Sequence, residues 1–159
     1  MNNKVVLAFS GGLDTSFCVP YLKNEKGLEV HTVMVNTGGF SQEEAKAIEE
    51  RALALGAASH KTIDATETYY NKGIKYLIFG NILKNATYPL SVSSERVFQA
   101  LEVLKHVKEV GAGYVAHGST GAGNDQVRFD IVFEILAPEV KIIAPIRAVS
   151  YTHLTLPTT

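Results

Sequence analysis

The sequence has a single cysteine, Cys18, among its 159 residues, so no intrachain disulfide can form. Cys18 falls in the first predicted helix and reads as a small buried apolar residue, not a catalytic thiol. No apolar run is long enough to span a bilayer. The opening Met-Asn-Asn-Lys-Val-Val-Leu leads straight into a predicted strand and lacks the layout of a signal peptide. Neither charge sign is in excess: 15 basic and 16 acidic residues leave a formal net charge of -1. That balance gives no electrostatic footprint for nucleic acid or for an acidic membrane surface. Internal repeats and interior linkers are also absent. These absences predict a cytosolic chain without nucleic-acid or membrane partners. Hydrophobic residues make up 46% and charged residues 19%, which fits one folded domain with a real core.

The informative stretch is Ser10-Gly11-Gly12-Leu13-Asp14-Thr15-Ser16, directly after the apolar run Val5–Phe9. A β-branched run followed by paired glycines and small hydroxyl residues predicts a buried strand, a tight turn and a helix start. Gly11 and Gly12 let the backbone approach a ligand closely. The first turn of the helix offers N–H groups without intrahelical partners and the positive end of the helix dipole, which together favour phosphate. The motif lacks the Lys of G-x-x-x-x-G-K-[ST] and the third glycine of G-x-G-x-x-G, so it is neither of those commoner loops.

Strands are predicted at Val5–Phe9, Val30–Val35, His60–Ile63, Tyr114–His117 and Lys141–Pro145. Helices are predicted at about Asp14–Lys26, kinked at Pro20, and at Gln42–Leu55, with Ser41 and Glu44 in capping-box spacing. Two more are predicted at Glu67–Leu83 and Ser94–Val110. Alternating strands and helices imply an α/β fold with a doubly wound, mostly parallel sheet. Ligands then sit beyond the carboxyl ends of the strands. Three unusual loops fall there: Ser10–Ser16, Asn36–Phe40 and Gly118–Arg128.

In the third loop, glycines precede Asn124, Asp125 and Arg128. Arg suits bidentate recognition of carboxylate or phosphate, and Asp can hold an ammonium group or Mg²⁺. Thr87–Arg96 reads as a loop leading into the fourth helix, with Ser93 or Ser94 as its N-cap. His117 reads equally as a residue facing the nucleotide or as a satisfied core histidine. His31, His60 and His106 have no metal spacing and read as structural or exposed. Tyr69, Tyr70 and Tyr76 are expected to pack. Glu43, Glu44, Glu49 and Glu50 read as a solvated helix face. No metal site is predicted from the side chains.

The Ser-Gly-Gly-Leu-Asp-Thr-Ser heptad resembles the PP-loop of the ATP pyrophosphatases. Taken with Tyr88-Pro89-Leu90 and His117-Gly118-Ser119-Thr120-Gly121-Ala122-Gly123-Asn124-Asp125-Gln126-Val127-Arg128-Phe129, it resembles the argininosuccinate synthases over about Lys4 to Arg147. The heptad is common to several PP-loop enzymes; the Gly-Asn-Asp-Gln-Val-Arg-Phe string is more specific. The resemblance implies a Rossmann-like PP-loop nucleotide-binding domain and the cofactors ATP and Mg²⁺. It also implies a ligase reaction in which citrulline attacks the α-phosphorus of ATP. Citrullyl-AMP and pyrophosphate form, and the amine of aspartate displaces AMP, giving argininosuccinate for arginine biosynthesis.

Carried over by the resemblance, Ala8, Phe9, Ser10, Gly11, Gly12, Leu13, Asp14, Thr15 and Ser16 wrap ATP, with Val35 and Gly118 also touching it. Tyr88 and Ser93 contact citrulline. Thr120, Asn124 and Asp125 hold aspartate, and Asn124 and Arg128 reach citrulline. Asp14 is the one catalytic candidate, acting through Mg²⁺ or pyrophosphate. Family members are longer and homo-oligomeric. Residues 1–147 therefore read as the ATP-binding domain of a truncated member. The Thr-rich residues 148–159 read as a foreign or disordered tail outside the family pattern. Weak ATP binding and little or no turnover are expected of this chain alone. The alternatives are another PP-loop enzyme that adenylates a different acceptor, such as a tRNA thiolase or an amidotransferase synthetase, or an inert nucleotide-binding fragment.

Overall fold

Val5, Val6 and Leu7 are all wholly buried, because the strand that carries them is covered on both faces. In the computed structural model, which describes residues 2–121 and 123–152, that strand is β1 (Lys4–Ala8). It is followed by α1 (Leu13–Pro20), a π-helical turn (Tyr21–Glu25), β2 (Glu29–Asn36), α2 (Gln42–Ala54) and β3 (Ser59–Asp64). Next come α3 (Thr66–Tyr69), a second π-helical turn (Tyr70–Ile74), α4 (Lys75–Phe79) and a hairpin of β4 (Leu83–Lys84) and β5 (Tyr88–Pro89). The chain continues through α5 (Ser91–Val110), β6 (Tyr114–His117), α6 (Asn124–Leu136), β7 (Lys141–Ile143) and α7 (Pro145–Thr152). The five long-range strands are mutually parallel in the order β3-β2-β1-β6-β7, the predicted doubly wound α/β sheet.

Side-chain alternation sorts β1 between two cores. Val5 and Leu7 pack with Cys18, Val19 and Leu22 of the first helical segment and with Ile48 and Ala52 of α2. Val6 packs on the other face with Val103, Leu104 and Val107 of α5 and Phe129 and Phe133 of α6. A strand buried on both faces needs no polar alternation, which is why its sequence is a continuous apolar run. Each such side chain contributes about 1.5–3 kcal/mol by leaving water.

The capping box forms as predicted. Ser41 Oγ accepts the Glu44 N–H at 3.2 Å, and the Glu44 carboxylate accepts the Ser41 N–H at 2.8 Å. Those bonds hold the Glu44 carboxyl below its ordinary range. Gly111 closes α5 in the left-handed conformation, at φ 65°, where an L side chain is strained. Glu43, Glu44, Glu49 and Glu50 are all exposed.

Several boundaries differ from expectation. The first helix is α-helical only to Pro20; a π-helical turn carries the chain onward, absorbing the backbone donor that proline lacks. The third helix stops at Phe79, not Leu83, and Leu83 enters the hairpin. The last helix before β6 begins at Ser91, with Leu90 as N-cap, so Ser93 and Ser94 lie inside it. Ser94 Oγ instead donates back to the Ser91 carbonyl at 3.0 Å. Of the three tyrosines expected to pack, only Tyr69 is buried; Tyr70 and Tyr76 are exposed. Residues 145–152 form α7, and residues 153–159 of the predicted tail lie outside the described residues.

Cys18 is free and fully buried. Burial first, and the negative charge of Asp14 second, push its thiol up to about 12. A thiol-specific disulfide reagent at pH 8 is therefore expected to leave the folded chain unmodified and to label it quickly in urea. Rapid labelling without denaturant would contradict the burial.

Candidate functional site

From β1 the chain winds to β2 on one side, and β6 later joins on the other, so the switch point lies between β1 and β6. Ala8 pairs with His117 at the carboxyl ends of these strands. The loops that follow, Phe9–Gly12 and Gly118–Gly123, flank a cleft of about 600 Å³, where open α/β sheets bind ligands.

Gly11 stands at φ 74°, and a Cβ there would lie 2.8 Å from Ile48 Cγ1. Arg51 Nη1 donates to the Gly11 carbonyl at 2.5 Å, holding the turn from α2. Gly12 is the N-cap of α1 and brings no side-chain cap, so the N–H groups of the first turn stay available to an anion. Ser10 Oγ and Thr15 Oγ1 are 3.2 Å apart across the turn, and Thr15 Oγ1 donates to the Gly12 carbonyl at 3.2 Å. The second loop touches the first: a Cβ on Gly118 would meet Thr15 Cγ2 at 2.9 Å and Thr15 N at 3.2 Å.

The apolar wall of the cleft is Ala8, Phe9, Val33, Met34 and Val35, with Gly39 and Phe40 at its edge. The polar wall comes from α5 and α6. Asp125 accepts from Arg96 Nε at 3.2 Å and from Arg128 Nη1 at 2.7 Å. Arg128 Nη2 also donates to Ser93 Oγ at 2.9 Å. Glu95 accepts from Thr37 Oγ1 at 2.6 Å and from Gln99 Nε2 at 3.3 Å. His117 is 1% exposed and lies at the base of the cleft. Its Nε2 is 2.9 Å from Asp130 Oδ1, and burial holds the imidazole below its ordinary pKa.

Of the sequence-predicted residues, Ala8, Phe9, Ser10, Gly12, Leu13, Asp14, Thr15, Val35, Gly118, Thr120 and Asp125 all line this cleft. Gly11 is buried behind it, and Ser16 sits half-buried in the first turn of α1. Ser93 and Arg128 join through Asp125, as above. Tyr88 lies apart from the lining, exposed on β5 of the hairpin. Asn124 is the exposed first residue of α6; residues 124–128 are helix where a loop was expected, because Gly123 serves as N-cap at an extended backbone. Sequence reasoning gave no site role to Phe40, Glu95, Arg96, Gln99 or Phe129, although Phe40 falls in the Asn36–Phe40 loop and Glu95 and Arg96 end the Thr87–Arg96 stretch. Glu95 and Gln99 carried a signal, being polar residues one turn apart on one face of α5.

Among the described residues, no group of three His, Cys, Asp or Glu side chains could hold a metal ion. No described helix is long and apolar enough to cross a membrane.

Residues 4–156 match the family described as Arginosuccinate synthase N-terminal HUP domain. The chain is 47% identical over 149 residues to an argininosuccinate synthase of Xanthomonas axonopodis pv. citri, covering 94% of this chain and 35% of that protein. It is 47% identical over 150 residues to that of Saccharolobus solfataricus, covering 94% and 38% respectively. The chain thus spans little more than a third of the length of these relatives. Among solved structures, it resembles a glutamine-dependent NAD+ synthetase from Acinetobacter baumannii in complex with ADP. That match has a TM-score of 0.60 and 20% identity, over 79% of this chain and 23% of that one. It also resembles a predicted tRNA methyltransferase subunit from Methanocaldococcus jannaschii, with a TM-score of 0.59 and 21% identity, over 94% and 70%. At such identities the likeness concerns the fold alone. The glycine-rich switch-point cleft and the match across nearly the whole chain agree: this chain belongs to the argininosuccinate synthase N-terminal HUP domain family.

Proposed function

We propose that the chain is the ATP-binding half of a ligase that joins citrulline to aspartate. The reaction runs through citrullyl-AMP, releases AMP and pyrophosphate, and serves arginine biosynthesis. The observation that carries this reading is the uncapped first turn of α1, faced by the Gly118 backbone across a cleft with one apolar and one polar wall.

The α1 N–H groups, with Ser10, Thr15 and Ser16, take the phosphates, and the apolar wall at Ala8, Phe9 and Val35 takes the adenosine. Thr120, Asn124 and Asp125 hold aspartate; Tyr88, Ser93, Asn124 and Arg128 hold citrulline. Citrulline's ureido oxygen attacks the α-phosphorus as pyrophosphate leaves, and the aspartate amine then displaces AMP. Catalysis is mainly positioning and electrostatic stabilisation. Mg²⁺ would supply neutralisation of the separating phosphates. One cleft carboxylate suits it, since Mg²⁺ is held by one or two carboxylates plus phosphate oxygens, and Asp14, which lines the cleft in the first turn of α1, would be that group. The remaining length of the relatives completes the amino-acid site and the homo-oligomer. The exposed Ile78, Phe79, Ile82 and Tyr88 support an interface for it. The chain alone binds ATP weakly and turns over little.

Isothermal titration with Mg-ATP, with Gly12→Val as comparison, tests the reading. Gly12 has φ −73°, and its added Cβ would meet only Ser10 Oγ at 3.4 Å, so valine keeps the fold while crowding the anion position. Saturable binding by the parent, weakened at least about tenfold in the variant, is expected (about 1.4 kcal/mol). No saturable binding by a folded parent would overturn it.

A further inference from the structure

Behind the cleft, three charged or polar side chains from three elements form a line. Arg147 Nη2 of α7 donates to Asp130 Oδ2 of α6 at 2.8 Å. Asp130 Oδ1 lies 2.9 Å from His117 Nε2 at the end of β6. On its far side, His117 Nδ1 accepts the Ser119 backbone N–H at 3.2 Å. The imidazole stacks on Phe129 with centroids 5.7 Å apart and planes 15° apart, so it cannot turn freely.

We propose that His117, Asp130 and Arg147 form a positioning relay that fixes the Gly118–Gly123 loop against the phosphate loop. None of the three needs to touch substrate; they act through the backbone. This deepens the nucleotide reading and rests on it for its functional consequence.

The chemistry dictates the tautomer. A carboxylate accepts only, so Nε2 carries the proton and Nδ1 is left as a lone pair. That lone pair is the acceptor for Ser119 N–H. Arg147 has a distinct part: it neutralises Asp130, which would otherwise draw a second proton onto the ring. Asp130 and Arg147 are the charged groups that face His117; Asp14 of α1, Glu95 and Arg96 of α5 and Asp125 of α6 line the same cleft. Arg147 also lies beside the loop, since a Cβ on Gly121 would sit 3.6 Å from Arg147 Cγ.

Protonating His117 would place an N–H where the lone pair was, and two donors would confront each other. The Ser119 amide would turn away, and with it Gly118, which faces Thr15. Burial lowers the imidazole pKa from 6.5, so the neutral ring and its bond to Ser119 are intact above pH 6.5. They are lost as the pH falls below 6.5 through the folded value. The sign is that of a group protonated more readily when unfolded, so stability and loop order both decline on acidification.

The test is an amide NMR titration of the full chain from pH 8 to pH 5, without nucleotide, with Mg-ATP affinity measured in parallel. The Ser119 amide is expected to follow the His117 titration with a midpoint below 6.5. Arg147→Met should raise that midpoint, because Asp130 loses its cation, and Arg147→Lys should restore it. His117→Asn keeps an acceptor near the Nδ1 position but cannot titrate, and should flatten both profiles. His117→Phe keeps the ring but no acceptor, and should weaken Mg-ATP about tenfold at every pH. A Ser119 amide insensitive to pH, or an Arg147→Met midpoint unmoved, would overturn the relay. A parent that fails to bind Mg-ATP while its Ser119 amide titrates as stated would sink the nucleotide reading and leave the relay standing.

Discussion

Gly118→Val is expected to lower Mg-ATP affinity by about a hundredfold, with the circular dichroism spectrum of the parent (about 2.8 kcal/mol). The reason lies in what a side chain would meet. Its first atom alone would stand 2.9 Å from Thr15 Cγ2, 3.2 Å from Thr15 N and 3.4 Å from the Asp14 carbonyl carbon. Two of these three are backbone atoms in the first turn of α1, and backbone there cannot give way without disturbing the helix start. The β6 loop must therefore withdraw, widening the crevice at the place where the N–H groups converge. Gly121→Ala is the matched comparison. Its Cβ would find Arg147 Cγ at 3.6 Å, an ordinary contact, so affinity should change by less than about threefold. Isothermal titration of the two variants side by side checks this; equal losses would mean that loop mobility, not close approach, governs binding.

Phe133→Ala should cost about 3–5 kcal/mol of folding stability, the range for removing a buried aromatic ring. Phe133 is 1% exposed and packs with Val6, Leu104, Val107 and Val115 in the core between the sheet and the α5–α6 layer. Its ring also lies 5.7 Å from that of Phe129, one turn earlier on α6. A domain of this size has about 5–15 kcal/mol in total, so the variant would be marginal. Ile135→Ala, two positions on but 69% exposed, should stay within about 0.5 kcal/mol. Urea denaturation of both, followed by circular dichroism, decides the matter. Because α6 also carries Asp125 and Arg128, amide exchange at its first turn should quicken in Phe133→Ala even while the chain remains folded.

The sheet was legible because β-branched runs such as Val5–Phe9 and Val30–Val35 leave little choice once both faces are buried. The capping box at Ser41 and Glu44 and the glycine stop at Gly111 were legible because their chemistry is local. The helical state of Asn124–Arg128 was not, since three nearby glycines and Asn-Asp suggest a loop. What decides otherwise is the burial of Phe129 and Phe133, four residues apart, against strands far off in sequence. The hairpin at Leu83–Pro89 escaped for a similar reason: it is two short pairs closed by a turn that holds positive-φ Asn85 and Ala86. The PP-loop half of the site could be read from glycine and hydroxyl spacing. The Arg96–Asp125 and Arg128–Ser93 links could not, because each joins α5 to α6 by way of tertiary packing.

β1 is first in the sequence and central in the sheet, and its partner β6 is made about a hundred residues later. At the usual pace of synthesis, about 5–20 residues per second, its apolar residues emerge and wait on the order of ten seconds for their second neighbour. The seam between β1 and β6, where the cleft lies, therefore closes long after β1 has paired with β2 and has high contact order. A nascent chain stalled before Tyr114 would present an unpaired central edge, the species that trigger-type chaperones shield and that aggregates when they do not.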